Sequence, residues 1–127
     1  MRGSSKAAWL LASAIGLAAL GCDELLIRAA NLQVVPDPAQ QGEEVSFVFD
    51  FTLIPERNYT ITASIDGMVH RTETRMEAFD GVFVLRIGDA GDLISTYGVG
   101  TRTAHIAVRD NDGGRTAQTA SVPFELQ

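Results

Sequence analysis

The 127-residue sequence predicts an all-β domain, an antiparallel sandwich of about seven strands that follows an N-terminal signal helix. In several short segments large apolar residues alternate with polar ones, which is typical of strands with one buried face. Asp, Asn and Gly residues that favour turns separate these segments, and no long helical pattern lies between them. The composition, 46% hydrophobic and 20% charged with one Cys, is that of an ordinary globular domain.

The first 21 residues have the arrangement of a secretory signal peptide. Arg2 and Lys6 give a positive start, and residues 7–20 carry no charge. A membrane-spanning helix needs about 20 apolar residues, so this shorter stretch predicts a cleaved signal rather than a permanent span. Its end, Ala19-Leu20-Gly21-Cys22, resembles the lipobox of bacterial lipoproteins.

The lipobox resemblance implies that a diacylglyceryl group is attached to the Cys22 thiol and that the chain is cut before this residue. The alternative is a small buried Cys beside an ordinary cleavage site. Residues 1–21 are then the signal, residues 22–30 a short tether and residues 31–127 the sandwich. Acyl chains on Cys22 imply a protein of the cell envelope that is anchored to a membrane, and the choice between inner and outer membrane stays open.

Seven segments have the pattern of strands, at residues 32–34, 45–53, 59–65, 68–75, 82–87, 103–109 and 115–126. Asp66-Gly67 is a two-residue turn that favours positive φ, so the third and fourth segments are predicted to form a hairpin. Asp80-Gly81 is predicted to open the fifth strand. In the last strand Ala120 is predicted to face inward. Pro123, which has no N–H, predicts either an edge strand or a position whose nitrogen faces outward.

Two segments are less regular. Residues 25–30 are either part of the tether or an extra edge strand. Residues 89–97 are short and contain glycine, so a single turn is predicted there instead of a helix.

The segment Val35-Pro36-Asp37-Pro38 and the following Gly42 resemble the opening of bacterial immunoglobulin-like domains. Residues 100–124 are similar to the closing hairpin of the same superfamily. The resemblance implies an immunoglobulin-like sandwich and carries no function by itself. A narrower similarity, to lipid-binding domains of the ML type, implies an apolar ligand held between the sheets.

Charge argues against nucleic acid as a partner. Arg2 and Lys6 leave with the signal, so the mature chain has eight Arg against 16 acidic residues, a formal balance of −8. Phosphate backbones and anionic lipid surfaces attract clustered Lys and Arg, which this domain lacks. The sequence also lacks a Gly-rich phosphate loop, a Cys/His cluster and a nucleophile elbow, so neither a cofactor nor an enzyme is predicted.

One loop is a candidate calcium site. Asp110, Asn111 and Asp112 place several oxygen ligands together, and Asp89 or Asp92 is a candidate to complete the shell. The same residue types are what a tight turn requires, so turn chemistry is the alternative. The two histidines, His70 and His105, are candidate metal ligands only if a carboxylate joins them, and solvated strand residues are the simpler interpretation.

Three further features have a structural interpretation and a functional one. Glu43-Glu44 is a carboxylate pair, but adjacent strand residues face opposite ways, which favours solvent exposure over acid/base work. The Phe47, Phe49 and Phe51 stripe predicts a core, with an apolar ligand cavity as the alternative. Tyr97 is predicted to be a corner tyrosine whose hydroxyl caps the backbone.

The function predicted is that of a noncatalytic, lipid-anchored envelope lipoprotein whose sandwich binds another envelope protein or supports an assembly. The alternative is a lipid- or saccharide-binding domain. A cavity between Phe49 and Phe83 would favour the ligand, whereas a solid core with one bare apolar edge would favour a protein partner.

Overall fold

The computed structural model describes residues 25–127, so the signal segment and Cys22 lie outside the described part of the chain. Its elements are β1 Leu26–Val35, β2 Glu44–Ile65, β3 Met68–Asp89, α1 Ala90–Tyr97, β4 Gly100–Asp110, β5 Thr116–Gln118 and β6 Val122–Leu126. All strand pairs are antiparallel. The all-β, antiparallel prediction is confirmed.

Strand β2 organises the sheet. One of its edges pairs with β3 along its whole length, and its other edge pairs first with β1, at residues 46–54, and then with β4, at residues 59–65. The change of partner occurs around Pro55, where the register shifts between Leu53 and Arg57. Proline has no N–H to give to the ladder, which accounts for the interruption. Strand β4 continues the sheet by pairing with β5 and β6 on its other edge.

The described residues form one open, curled sheet of six strands. Two predicted breaks are absent, because β2 runs through Pro55 and β3 runs through Asp80-Gly81. In both places the neighbouring residues are paired in the β2–β3 ladder, so residues of turn type do not end the strand.

The last predicted strand is divided into β5 and β6. Thr119 lies between them, where its N–H donates to the carbonyl of Ile106 at 3.0 Å and its hydroxyl accepts from the Ile106 N–H at 3.2 Å. Thr119 is therefore buried, and Ala120, predicted to face inward, is exposed. Pro123 lies on β6, which pairs with β4 alone among the described strands, as the first of the two alternatives predicts, and an isolated bridge joins Leu126 to Ala39.

The apolar alternation predicted for β2 and β4 is confirmed. The curled sheet encloses one apolar core, which includes Val45, Phe47, Phe49, Phe51, Leu53, Tyr59, Ile61, Ala63, Ile65, Ala104, Ile106 and Val108. Phe47 on the first part of β2 contacts Phe124 of β6 with ring centroids 6.1 Å apart, so side chains of strands that do not pair with each other meet inside the curled sheet.

The hairpin between β2 and β3 forms as predicted. Asp66 and Gly67 have φ values of 53° and 81°, the positive values that a two-residue turn of this kind requires. The Asp66 carboxylate accepts from the Thr103 N–H at 2.9 Å and pairs with Arg102 at 3.1 Å, which attaches the turn to β4.

Two segments have more regular structure than a tether or a single turn. Residues 26–30, left open as tether or edge strand, are the first half of β1, with Leu25 and Ala29 buried. Residues 90–97 form a helix instead of a single turn. The Asp89 carboxylate accepts from the Gly91 N–H at 2.6 Å at its start, and Leu93 is buried against the core, which offsets the shortness of the helix.

Candidate functional site

The predicted lipidation site, Cys22, lies outside the described residues, four positions before β1 begins at Leu26. Within residues 25–127 no helix is both long and apolar enough to cross a bilayer.

The Asp110, Asn111 and Asp112 loop uses its oxygens to form a turn. The buried Asp110 carboxylate accepts from the N–H groups of Asp112 and Gly113, at 3.1 and 3.0 Å. Asp112 accepts from the Asn58 N–H at 3.2 Å, and the Asn111 amide donates to the Asn58 side-chain oxygen at 2.9 Å. These contacts hold the loop against β2 and engage carboxylate oxygens of Asp110 and Asp112 that calcium would need.

The other carboxylates proposed for the calcium shell lie elsewhere. Asp89 pairs with Glu44 at the start of β2, whereas Asp110 pairs with Tyr59, well along the same strand. Asp89 caps helix α1, and Asp92 is exposed in its first turn. In the described part of the chain no group of three or more His, Cys, Asp or Glu residues is arranged to hold a metal ion.

The histidines lie on the two strands that flank the end of β2. His105 pairs with Ser64, and His70 lies in the register shift between the partners of Ala63 and Ser64. The Nδ1 atom of His70 is 3.0 Å from the Tyr97 hydroxyl. The predicted cap is therefore wrong, because this hydroxyl contacts a side chain and not the backbone. Burial, and Asp66 nearby, raise the pKa of Tyr97.

The aromatic stripe of β2 is packed into the core. The rings of Phe49 and Phe83 stack with centroids 5.5 Å apart, and Phe51 contacts Phe79 at 5.5 Å and Tyr59 at 5.2 Å. The space where a ligand cavity was considered is thus occupied by side chains.

The free edge of β3 is the feature that invites a partner. One edge of β3 pairs with β2, and no strand among the described residues pairs with the other edge. A free edge presents unpaired N–H and C=O groups that can pair with another strand. We divide β3 into a charged half, residues 68–77, and an apolar half, residues 79–87.

The apolar half presents valines on the outer face of the sheet. Val82 and Val84 are 59% and 58% exposed, and they pair across the ladder with Asp50 and Val48 of β2. Asp80 and Arg86 lie on the same outer face at either end of the two valines. From residue 79 to residue 86 the ladder has no register shift, so this part of the edge is straight and regular.

A shallow groove adjoins the valines on the same face. It has a volume of about 570 Å³ and is lined by Asn31, Leu32, Gln33, Val48, Phe49, Asp50 and Val82. It forms where β1 bulges between Ala30 and Gln33, and Asn31, with a φ of 57°, donates to Asp50 at 2.7 Å. An apolar edge next to a groove is a surface that can receive side chains of a partner.

The charged half places charges on the inner face. Arg71, Glu73 and Arg75 pair with Ala63, Ile61 and Tyr59, all of which are fully buried.

These inner charges form a ladder of ion pairs. Arg71 lies 3.6 Å from Glu73, Arg75 lies 2.5 Å from Glu73, and Arg75 lies 3.6 Å from Glu77. The guanidinium of Arg75 also covers the Phe83 ring at 4.9 Å, so the ladder reaches the apolar half. Inward-pointing charges are a known protection of sheet edges, because an added strand would have to bury them.

Tyr59 connects the ladder to the core. Its hydroxyl donates a hydrogen bond to Glu77, and burial, followed by this hydrogen bond, raises the pKa of Tyr59. The phenol thus stays neutral and serves as a donor from the core to the ladder.

An ion pair also lies beside the apolar half. Arg86 donates to both carboxylate oxygens of Glu44, at 2.9 and 2.8 Å, and these hydrogen bonds lower the pKa of Glu44. Glu43 accepts from the Gln40 N–H at 2.8 Å, so the two adjacent glutamates have separate structural contacts and both are exposed. At the other end of the segment Asp80 accepts from the Thr52 hydroxyl at 3.0 Å.

The sequence alone did not predict a role for Val82 and Val84, the outward valines of β3. The signal for them is the unbroken apolar run from Val82 to Leu85, which departs from the alternation of the other strands and places apolar side chains on both faces. No protein-family model matches this chain, and none of the curated proteins or solved structures matches it either.

Proposed function

We propose that this protein is a noncatalytic lipoprotein of the bacterial cell envelope, anchored by acyl chains on Cys22, whose immunoglobulin-like sandwich binds a protein partner through the apolar half of β3. The observation that carries the proposal is the free, regular and apolar edge around Val82 and Val84. Such an edge adds a partner strand by main-chain hydrogen bonds, with alternate side chains giving specificity.

The sandwich part of the proposal is supported by the pairing of β2. Its first part lies between β1 and β3, and its second part lies between β4 and β3. If the sheet is divided into two facing layers at Pro55, where β2 changes partner, the predicted strands are arranged in the order of an immunoglobulin-like domain. The contact of Phe47 with Phe124 supports this, since it joins residues of the two layers.

Anchoring at Cys22 rests on the lipobox alone. If it holds, the four-position distance to Leu26 keeps the domain close to the membrane surface. The measurement is the intact mass of the full-length protein extracted from membranes, compared with a Cys22→Ser variant. We expect a diacylglyceryl adduct on a chain that begins at Cys22, and an unmodified thiol would remove the anchor from the proposal.

A ligand-binding function receives less support. The stacked rings of Phe49 and Phe83 fill the place where an apolar ligand would lie.

The test of the interaction function is photo-crosslinking in intact membranes, with a photoreactive residue at position 84 of the full-length chain. The matched control carries the same residue at position 69, because Val69 is an equally exposed valine, at 64%, on the charged half of the same strand. We expect a discrete protein adduct from position 84 and little or none from position 69. Absence of adducts at position 84, or equal adducts at both positions, would contradict the proposed function.

A further inference from the structure

We infer that the partner is a second copy of this chain, whose β3 pairs antiparallel with β3 of the first copy about a two-fold axis at Phe83. This inference rests on the proposed function and names its partner. A two-fold interface needs a surface that is complementary to itself.

The outer row of the apolar half has this property. When the row Asp80, Val82, Val84, Arg86 is placed against its own reverse, Val82 faces Val84 of the second copy and Asp80 faces Arg86. Two-fold symmetry produces each contact twice. Directly opposed residues in antiparallel strands have Cβ atoms about 5 Å apart, so the valines touch and the opposite charges are within reach.

Only one register satisfies these side chains. A shift of the two-fold axis by one residue toward Val82 places Asp80 against Val84 and leaves Arg86 opposite Ala78. The same shift toward Val84 places Val82 against Arg86. If the two-fold axis lies between two residues, each outer side chain of one copy is paired with an inner side chain of the other. A sheet with one buried face does not tolerate this.

The length of β3 limits the contact to the apolar half. In the Phe83 register, Glu77 lies opposite Asp89 of the second copy, and Asp89 is the last residue of β3. The rest of the charged half therefore extends beyond the partner strand, so the pairing does not cover Arg71, Glu73 and Arg75. The regular ladder of residues 79–86 covers the paired region, so the backbone is straight where the second strand binds.

The geometry sets the orientation at the membrane. Leu26 pairs with Ile54, next to Leu53, which pairs with Phe79 of β3. Each Leu26 thus lies about 15 Å from the two-fold axis at Phe83, and antiparallel pairing places the two Leu26 residues about 30 Å apart along the strands at 3.4 Å per residue. The four positions from Cys22 to Leu26 span at most about 14 Å. Both anchors therefore reach one bilayer only when the paired strands lie closer to parallel than to perpendicular to its surface.

The test is a charge exchange in the full-length chain, read out by the yield of the adduct from a photoreactive residue at position 84. Asp80→Arg and Arg86→Asp each replace two attractive contacts with two repulsive ones, and we expect each to lower the dimer adduct on the order of tenfold. Asp80→Arg with Arg86→Asp on the same chain restores opposite charges and is expected to recover the adduct. Thermal unfolding of each variant checks the fold, which these exposed positions should leave intact.

A mixed experiment gives a sharper result. When an Asp80→Arg chain and an Arg86→Asp chain with a different tag are co-expressed, only the mixed pair has opposite charges at both contacts, so we expect mixed dimers almost exclusively. The inference would be overturned if the adduct with twice the mass of the chain did not respond to the single charge changes. It would also be overturned if Asp80→Arg with Arg86→Asp on the same chain did not recover this adduct. An adduct of another mass would overturn the second copy as partner and leave the proposed function standing, whereas no adduct would contradict both.

Discussion

Among residues 25–127, both halves of β3 pair with β2 along one edge and leave the other edge free, yet the side chains beside that edge differ in kind between the two halves. The charged half directs Arg71, Glu73 and Arg75 toward the core side, and the apolar half directs Phe83 and Leu85 there. The comparison shows that the free backbone alone does not decide whether an edge receives a partner. The side chains that a partner would cover decide it.

The first prediction separates the two faces of the apolar half. Phe83→Ala removes a ring that contacts Phe49, Phe51 and Phe79, and we expect the free energy of unfolding to fall by about 3–5 kcal/mol. Val82→Ala, on the exposed outer face, is expected to change it by no more than about 0.5 kcal/mol when the chain is dilute enough to be a monomer. Urea unfolding checks both, and equal losses would mean that the faces are wrongly assigned.

The second prediction converts the charged half into an apolar one. Glu73→Val with Arg75→Val removes the centre of the ion-pair ladder, so the edge loses its protection and we expect the protein to self-associate, which light scattering detects. The control is the exchange Glu73→Arg with Arg75→Glu, which retains one charge of each sign and is expected to remain dispersed. Association of the control to the same extent would show that the charges do not protect the edge.

The third prediction concerns the hydrogen bond from Tyr59 to Glu77. Tyr59→Phe is expected to cost about 1 kcal/mol at neutral pH, because Glu77 loses a donor. The raised pKa of Tyr59 contributes stability that is present below the ordinary value of 10.0 and is lost as the pH rises toward the folded value. The melting temperatures of the two proteins should therefore converge as the pH rises from about 10, the ordinary pKa, to about 12. A constant difference over this range would contradict the assigned hydrogen bond.

The smallest effect is expected from the ion pair beside the apolar half. Glu44→Gln removes the partner of Arg86, and since both side chains are exposed, the loss of melting temperature should be small and absent in about 1 M salt. Because the pKa of Glu44 is lowered, its contribution is present above the ordinary value of 4.5 and lost as the pH falls through the folded value. A loss that persists in high salt would mean that this pair behaves like the inner ladder.

Local patterns in the sequence predicted the parts of the fold that local chemistry controls. The alternation from Val45 to Leu53 predicted a strand with one buried face, and Asp66-Gly67 predicted the hairpin. Both are present because side-chain period and positive φ are properties of neighbouring residues.

The continuity of β2 and β3 depends on long-range pairing and was not predicted. Pro55 and Asp80-Gly81 have the composition of strand ends, but the ladder between the two strands continues past them. The inner position of Glu73 depends on its pairing with Ile61, a register that residues 68–75 do not contain. For the same reason the free edge of β3 could not be located before the pairing was known.

The most direct measurement of the difference between the halves is hydrogen exchange of the β3 amides at low and high protein concentration. If a second copy of the chain covers the apolar half, exchange in residues 80–86 slows as the concentration rises, while exchange in residues 68–77 does not change. Exchange that is independent of concentration in residues 80–86, or slowed equally in both halves, would contradict the account.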